Sequence, residues 1–441
     1  MIGKVGGLAH HNRTLLSNLF SLSVLQGANY LLPLITLPYL ARVLGAERFG
    51  LIAFAQAFIL YFIILTDYGF NLSATKEISV HRDDARKIAE VFWSVLLVKF
   101  VLTLLSFGVL LGIVFGVAHF RSEWEVYVLA FGMVIGRVLY PLWLFQGLER
   151  MKYIVLVNLV AKLFFTALIF IVVKQASDYL YVPLINSGGF IVAAVLGLYV
   201  ALRHCGVALH LPTASSVWSH LKASTQFFLA RLSASLYTSS SVVFLGLLGG
   251  DATVGYYSAA EKVFLAFQGI YEPVVVSIYP YMSKYRNMGV YRAVFKVSVL
   301  FNSLCCVLLF VFSGPLVSLL FGEDFQTSSL ILKVFSAALL LVVPSTLLGY
   351  PFLAALGFAP CANNSVIAGS LFHLMALVSV CLLVGLNAPL AAGLSVATEA
   401  IILTMRAYWV RKHGLWSGGY GQALAGSTCS AVITEGGRQA W

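Results

Sequence analysis

Charge is scarce in this chain. Asp, Glu, Lys and Arg make up only 10% of its 441 residues, where soluble domains carry about 25%. A set of soluble domains needs more charge than that on its surfaces, and the mean hydropathy of +0.92 points the same way. Paired cysteine chemistry is missing too. Cys205, Cys305, Cys306, Cys361, Cys381 and Cys429 form no CxxC and have no histidine at zinc spacing, which argues against a metal centre, a disulfide framework or a bound cofactor. A GxxxxGK[ST] loop is also absent, so ATP does not drive the protein through a domain of its own. The net charge of +11 would suggest nucleic acid in a soluble protein. Here the basic residues cluster in loops between apolar stretches, so membrane topology accounts for them and no nucleic-acid partner is expected.

Long apolar runs are what the sequence has in abundance. A helix needs about 20 apolar residues to cross the hydrocarbon core. Twelve stretches meet that length: 15–41, 49–71, 91–117, 126–148, 152–173, 179–202, 224–248, 254–281, 293–319, 326–355, 362–385 and 388–410. The expected fold is an all-α polytopic membrane protein. The polar residues 1–14 show no cleavage site of small residues, so the first span reads as an uncleaved signal-anchor. After it, Arg42, Arg48, Arg121 and Lys174 are the only basic residues placed outside when the N-terminus is inside. Lys4, Arg82, Arg86, Lys87, Arg150, Lys152, Lys284, Arg286, Arg411 and Lys412 all fall inside. This bias puts both termini in the cytoplasm. The polar, glycine-rich tail within 411–441 reads as disordered.

A weak repeat divides the chain in two. GAERFG at 45–50, between spans one and two, matches GDATVG at 250–255, between spans seven and eight. The offset of 205 residues also pairs Ala55 with Ala260 and Gln56 with Glu261. The expected lobes are 15–202 and 224–410, joined by a cytoplasmic loop over 203–223. Six spans per lobe is an even number, so the repeats are parallel about an axis along the membrane normal, with a cavity at their interface.

Ionisable residues inside the spans mark function by default, since each costs about 2.5–3.5 kcal/mol at a helix centre on insertion scales. The cations are Lys99, Arg137, Lys162, Arg231, Lys262 and Lys333; the anions are Glu261, Glu272 and Glu399. Equal numbers would indicate simple buried pairs. The excess of cations points to an anionic ligand. Arg137, Lys162 and Glu399 sit nearest their helix centres, where snorkelling is hardest, and are read as lining the cavity. Lys99 and Arg231 fit either a lining or a structural pairing role, and Lys333 lies close enough to a surface to snorkel. Glu261 and Lys262 are adjacent and so point to different helix faces. Glu272 precedes Pro273, whose ring removes a mid-helix hydrogen bond, so this pair reads as a hinge. His373 reads as a hydrogen-bonded core histidine, with proton carriage as the other option.

The opening third then resembles a known family. QGANYLLP at 26–33, PYLAR at 38–42, Leu44-Gly45, Phe49-Gly50, YGFNL at 68–72 with Thr75, and PLWLFQG at 141–147 with Lys152 are similar to the Wzx-type flippases. These are the O-antigen and polysaccharide repeat-unit transporters of the multidrug/oligosaccharidyl-lipid/polysaccharide exporter superfamily. GYYSAAEK at 255–262 and ATE at 397–399 continue the likeness more sparsely. The resemblance implies twelve helices in two six-helix lobes forming a V around a cationic lumen. It implies a bacterial inner-membrane protein that turns an undecaprenyl-diphosphate-linked oligosaccharide from the cytoplasmic to the periplasmic leaflet. Arg137, Lys162, Lys99, Arg231 and Lys262 would then hold the diphosphate. A proton or sodium gradient would drive the cycle, with Glu399, Glu261 or Asp67 as coupling carboxylates. Membrane lipid surrounds the carrier's tail, and a polymerase or chain-length regulator stays open as a partner.

Two other classes compete. A drug or cation extruder of the same superfamily shares the fold, but its cavity should be dominated by acids. A membrane enzyme acting on lipid-linked sugars, such as a polymerase or ligase, should carry a large outward loop with catalytic residues. This chain has neither feature, so it is not expected to be an enzyme.

Overall fold

The computed structural model describes the backbone of residues 2–417, with side chains from Leu32 onward except at 230, 234, 236, 237 and 417. The tail from 418, expected to be disordered, lies outside the described residues. All regular structure among the described residues is helical. The chain divides into two compact units, Met1–Ser258 and Ala259–Trp441.

The first unit begins with α1 (Ile2–Asp67), α2 (Phe70–Val80), α3 (Ala85–Gly116), α4 (Ala118–Arg121) and α5 (Trp124–Leu139). It continues with α6 (Leu142–Gly147), α7 (Met151–Val172), α8 (Tyr181–Arg203), α9 (Ala214–Gly249) and the start of α10 (Asp251–Gly269). The second unit completes α10 and adds α11 (Glu272–Tyr285), α12 (Met288–Val311), α13 (Ser313–Phe321), α14 (Thr327–Leu348), α15 (Ala359–Leu383) and α16 (Ala388–Lys412).

Ten helices among the described residues are long and apolar enough to cross a membrane, and the bent α9 makes eleven. The first of these, Leu32–Val80, contains Gly45, where the backbone leaves the helix at φ +70°. It therefore holds the second expected span together with the end of the first. Gly250, the repeat partner of Gly45, separates α9 from α10 with φ +79°. The ψ values, 174° and 163°, agree as closely. Glycine adopts this left-handed region without steric cost, so both halves turn the chain with the same residue.

Polar side chains close the helix ends where the apolar runs meet water. The Asp84 carboxylate accepts from the backbone N–H groups of Arg86 and Lys87 at 3.0 Å, starting α3. Asn287 accepts from Val290 at 3.2 Å and Asn387 from Leu390 at 2.9 Å, starting α12 and α16. Each satisfies a donor that the first helical turn leaves orphaned.

Aromatic residues fill the core of the first unit. Phe70, Ile78, Phe92, Trp143 and Leu144, from α2, α3 and α6, form one buried cluster. The second unit packs Met282, Tyr291, Phe352, Leu353 and Cys361 around a π-helical turn, Gly349–Ala354. That turn holds Pro351 and widens the backbone at the end of the tenth expected span. Leucines such as Leu104 and Leu105 stand exposed along α3, as hydrocarbon rather than water as solvent requires.

Three expected spans are broken: 126–148 is α5 and α6, and 293–319 is α12 and α13. The eighth, expected as a single helix over 254–281, is α10 and α11, with the break at Ile270 and Tyr271. Pro273 occupies the first turn of α11. Its missing N–H costs nothing there, because the first turn has no helical acceptor for it.

Candidate functional site

Five helices of the first unit bring ionisable side chains to one place. Asp67 ends α1, after which Tyr68 (φ 45°) and Gly69 (φ 78°) take the chain through a left-handed turn into α2. The turn leaves the Asp67 carboxylate buried at 6% exposure. Lys99 approaches from α3 and donates to Asp67 Oδ1 at 3.1 Å. Its ammonium also lies 4.3 Å from the ring centre of the fully buried Trp143. Arg231 of α9 reaches Asp67 Oδ2 at 3.7 Å.

Arg137 near the end of α5 and Lys162 in α7 complete the lining of a cavity of about 290 Å³. The Arg137 guanidinium lies 5.0 Å from the ring centre of Phe190 on α8 and stays accessible from the cavity. Asn158, one turn before Lys162 on α7, donates to the Tyr140 hydroxyl at 2.8 Å and to the Ile154 carbonyl at 2.8 Å. Four cations and one carboxylate thus share the wall, and Lys99 and Arg231 divide that carboxylate between them. Placed together in a low-dielectric site, such an excess of positive charge favours an anionic partner.

The sequence reading assigned Lys99, Arg137, Lys162 and Arg231 to an anion and Asp67 to an ion gradient. All five line this one cavity, so the two assigned roles meet in a single ion-paired cluster. Lys262, Glu261, Glu272, Pro273 and Glu399 belong to the second unit. Glu261 and Lys262 are half-buried on α10, and Glu272 with Pro273 opens α11 directly after the helix break. Glu399 is buried on α16 beside Thr398, whose hydroxyl pairs with Nδ1 of the fully buried His373 at 2.9 Å. His373 is therefore the hydrogen-bonded core histidine that the sequence suggests.

Sequence reading passed over Tyr140, Asn158 and Phe190 in the cavity wall. Asn158 had a visible signal, as an amide in the middle of an apolar run, whereas the two rings look like any other membrane-facing aromatics. It also passed over Arg406. That guanidinium is buried in the second unit and donates to Ser365 Oγ at 2.9 Å, the Ser345 carbonyl at 2.6 Å and Ser345 Oγ at 3.1 Å. It lies over Gly349, where a Cβ would come within 2.9 Å of the guanidinium nitrogen.

Ionisable side chains gathered in a cavity inside a helical membrane bundle mark a candidate functional site rather than a passive anchor. Residues 15–286 match the profile of the family described as "Polysaccharide biosynthesis protein". The chain belongs to this family, as a Wzx-type polysaccharide transporter of the multidrug/oligosaccharidyl-lipid/polysaccharide exporter superfamily. Two relatives carry the name "Putative O-antigen transporter". The one from Escherichia coli (strain K12) is 29% identical over 408 residues, covering 90% of this chain and 97% of its own. The one from Shigella dysenteriae is 28% identical over 368 residues, covering 81% of this chain and 91% of its own.

Solved structures share the fold. The lipid II flippase MurJ in an inward closed conformation aligns with a TM-score of 0.72 at 13% identity, over 88% of this chain and 87% of its own. An inward-facing multidrug resistance transporter of the MATE family aligns at 0.66 and 15% identity, over 88% of this chain and 96% of its own.

Proposed function

We propose that the protein is a flippase for undecaprenyl-diphosphate-linked O-antigen or polysaccharide repeat units, moving them from the cytoplasmic to the periplasmic leaflet of a bacterial inner membrane. The observation that carries the reading is the cavity lined by Lys99, Arg137, Lys162 and Arg231 together with Asp67, which pairs with Lys99 and Arg231. A diphosphate brings about two negative charges, and Arg137 offers a planar fork that matches phosphate oxygens two at a time. Lys262, in the second unit, is a further candidate for binding an anion. The polyprenyl tail stays in lipid, where its transfer costs nothing.

The coupling step in this reading is protonation, or sodium binding, at Asp67, Glu261 or Glu399. Neutralising Asp67 would release Lys99 and Arg231 to the substrate, which ties ion movement to headgroup binding. Residues 15–202 and 224–410 act as the two lobes of alternating access, with both termini in the cytoplasm, and Glu272–Pro273 at the break between α10 and α11 acts as the hinge. A polymerase or chain-length regulator would receive the product on the outer face.

A cation extruder of the same superfamily fits less well. Its substrate would need a carboxylate, and Asp67 is already engaged by two cations.

A deletion in a polysaccharide-producing bacterium, complemented with wild type or Arg137→Ala, tests the proposal. Repeat units stranded in the cytoplasmic leaflet and released only by wild type are the expected result. Normal surface polymer in a deletion strain without a second flippase would sink it. Glu399→Gln supporting full, still gradient-dependent transport would remove that residue from the coupling set.

A further inference from the structure

A second cavity, of about 340 Å³, adjoins the cationic one, and Asn158, Lys162, Phe190 and Ala193 line both. On every shared helix it is displaced in one direction. In α1 it uses residues 32–40 and Gln56, which flank the Gly45 turn, whereas the cationic cavity uses Ile63, Thr66 and Asp67. In α7 it extends from Asn158 to Ile169 instead of from Ile154 to Lys162. The two chambers are therefore stacked along the helix axes, with Lys162 at the junction.

Their chemistry differs. Among the described residues, Lys162 is the only charged one in the wall of the second chamber, and three amides line it: Gln56, Asn158 and Asn186. Asn158 spends its amide hydrogens on Tyr140 and Ile154, which leaves its carbonyl oxygen to accept. The half-buried Gln56 and Asn186 side chains make no hydrogen bond among the described residues. Phe165 supplies a flat wall. Its ring packs on the backbone of Gly188 and Gly189, where an added Cβ would come within 3.1 Å and 3.2 Å of it.

Neutral amides that both donate and accept, set beside an aromatic face and apolar side chains, are complementary to a polyol ring and poorly matched to hydrocarbon. A prenyl chain in this space would leave the amides unsatisfied. A second anion would meet only the cation already at the junction. The volume is at the lower end of the range that small-molecule sites occupy.

We propose that this chamber, through Gln56 and Asn186, binds the first sugar of the lipid-linked repeat unit, an uncharged pyranose joined directly to the diphosphate. The inference rests on the flippase reading, because it takes the diphosphate to lie beside Lys162 and the sugar to lie one bond further toward the Gly45 turn. A wall built to hydrogen-bond particular hydroxyls rejects ligands that lack them. The chamber is thus where the transporter distinguishes one initiating sugar from another.

The test compares farnesyl diphosphate with farnesyl-diphospho-glucose, -galactose and -N-acetylglucosamine, measuring Kd on the purified full-length protein in nanodiscs. Wild type is expected to bind one of the three sugar conjugates about tenfold more tightly than farnesyl diphosphate, the scale of one or two added hydrogen bonds. Gln56→Leu and Asn186→Leu should each erase most of that gain. Their affinity for farnesyl diphosphate itself should stay within about twofold, which also reports that the variants fold.

Wild type that binds farnesyl diphosphate but gains nothing from any sugar would overturn the chamber and leave the flippase reading standing. A sugar gain that survives both substitutions would overturn it as well. Wild type that binds none of the four ligands would remove the flippase reading, and the sugar chamber with it.

Discussion

Gly50 and Gly255, one in each half of the internal repeat, each pack directly against the backbone of the other half's turn. A Cβ on Gly50 would lie 2.6 Å from the Gly255 nitrogen, and one on Gly255 would lie 3.0 Å from the Ala46 carbonyl carbon. The neighbouring atoms are backbone, which has no rotamer by which to yield. The repeat seen in the sequence is thus also a reciprocal packing contact, in which each glycine leaves room for the other half's chain.

Substitution there should be costly. Gly50→Ala and Gly255→Ala are each expected to destabilise the protein by about 1–3 kcal/mol, the usual range for overpacking. Gly108→Ala, in α3 where a Cβ meets nothing within 4 Å, should leave stability unchanged or slightly higher, as alanine favours helix. Thermal unfolding of the three variants in detergent checks this. Equal melting temperatures for Gly50→Ala and Gly108→Ala would remove the claim of a tight contact.

Asp67 and Lys99 should depend on each other. Both are buried, at 6% and 1% exposure, so deleting one partner strands a charge at a cost of about 3–5 kcal/mol. Lys99→Met is expected to be the milder variant, because Asp67 keeps Arg231 as a partner. Asp67→Asn, which leaves Lys99, Arg231 and Arg137 without the anion that holds them together, should unfold at a lower temperature, and the double variant should recover part of that loss. Strictly additive effects in this double-mutant cycle would show that the pair is not coupled.

Arg137 should matter through its shape as well as its charge. Arg137→Lys keeps the charge but loses the fork that engages two oxygens at once. Polymer export by Arg137→Lys is expected to fall about tenfold, the equivalent of one charge-assisted hydrogen bond, and by Arg137→Ala further still. Export by Arg137→Lys indistinguishable from wild type would mean that a point charge suffices.

Arg406, by contrast, should act on stability. Its three hydrogen bonds join α16 to α14 and α15, and hydrogen bonds to charged groups contribute about 1.5–3 kcal/mol each. Arg406→Met is expected to lower the melting temperature and the amount of folded protein, with export per folded molecule preserved. Normal stability with lost export would instead place Arg406 in the transport path.

Much of the architecture was legible before folding. The apolar runs at 91–117, 152–173, 362–385 and 388–410 reappear as α3, α7, α15 and α16 within a few residues, because lipid leaves a backbone few options besides helix. The Gly45 and Gly250 turns were legible as a repeat, since only glycine takes that conformation freely. The break of the eighth span before Pro273 was legible as a weak point in mid-helix. Its exact place, one turn earlier at Ile270 and Tyr271, was not, because proline fits a helix's first turn as well as it disrupts the middle.

The sequence by itself determined the class of the protein. Its hydropathy demands a membrane, while its loop charges and intramembrane cations carry only the expectation of a topology and of an anionic ligand. Only the tertiary structure decided how those charges combine. Lys99 and Asp67 lie 32 residues apart and Arg231 much further along the chain, so no helical periodicity relates them. Their meeting depends on the left-handed turn at Tyr68 and Gly69 and on how α9 packs against α1 and α3. The same holds for Gln56 and Asn186, which read as ordinary polar residues until the helices enclose a chamber between them. Helix formation follows from local composition, whereas a binding site follows from which faces of distant helices the packing turns toward one another.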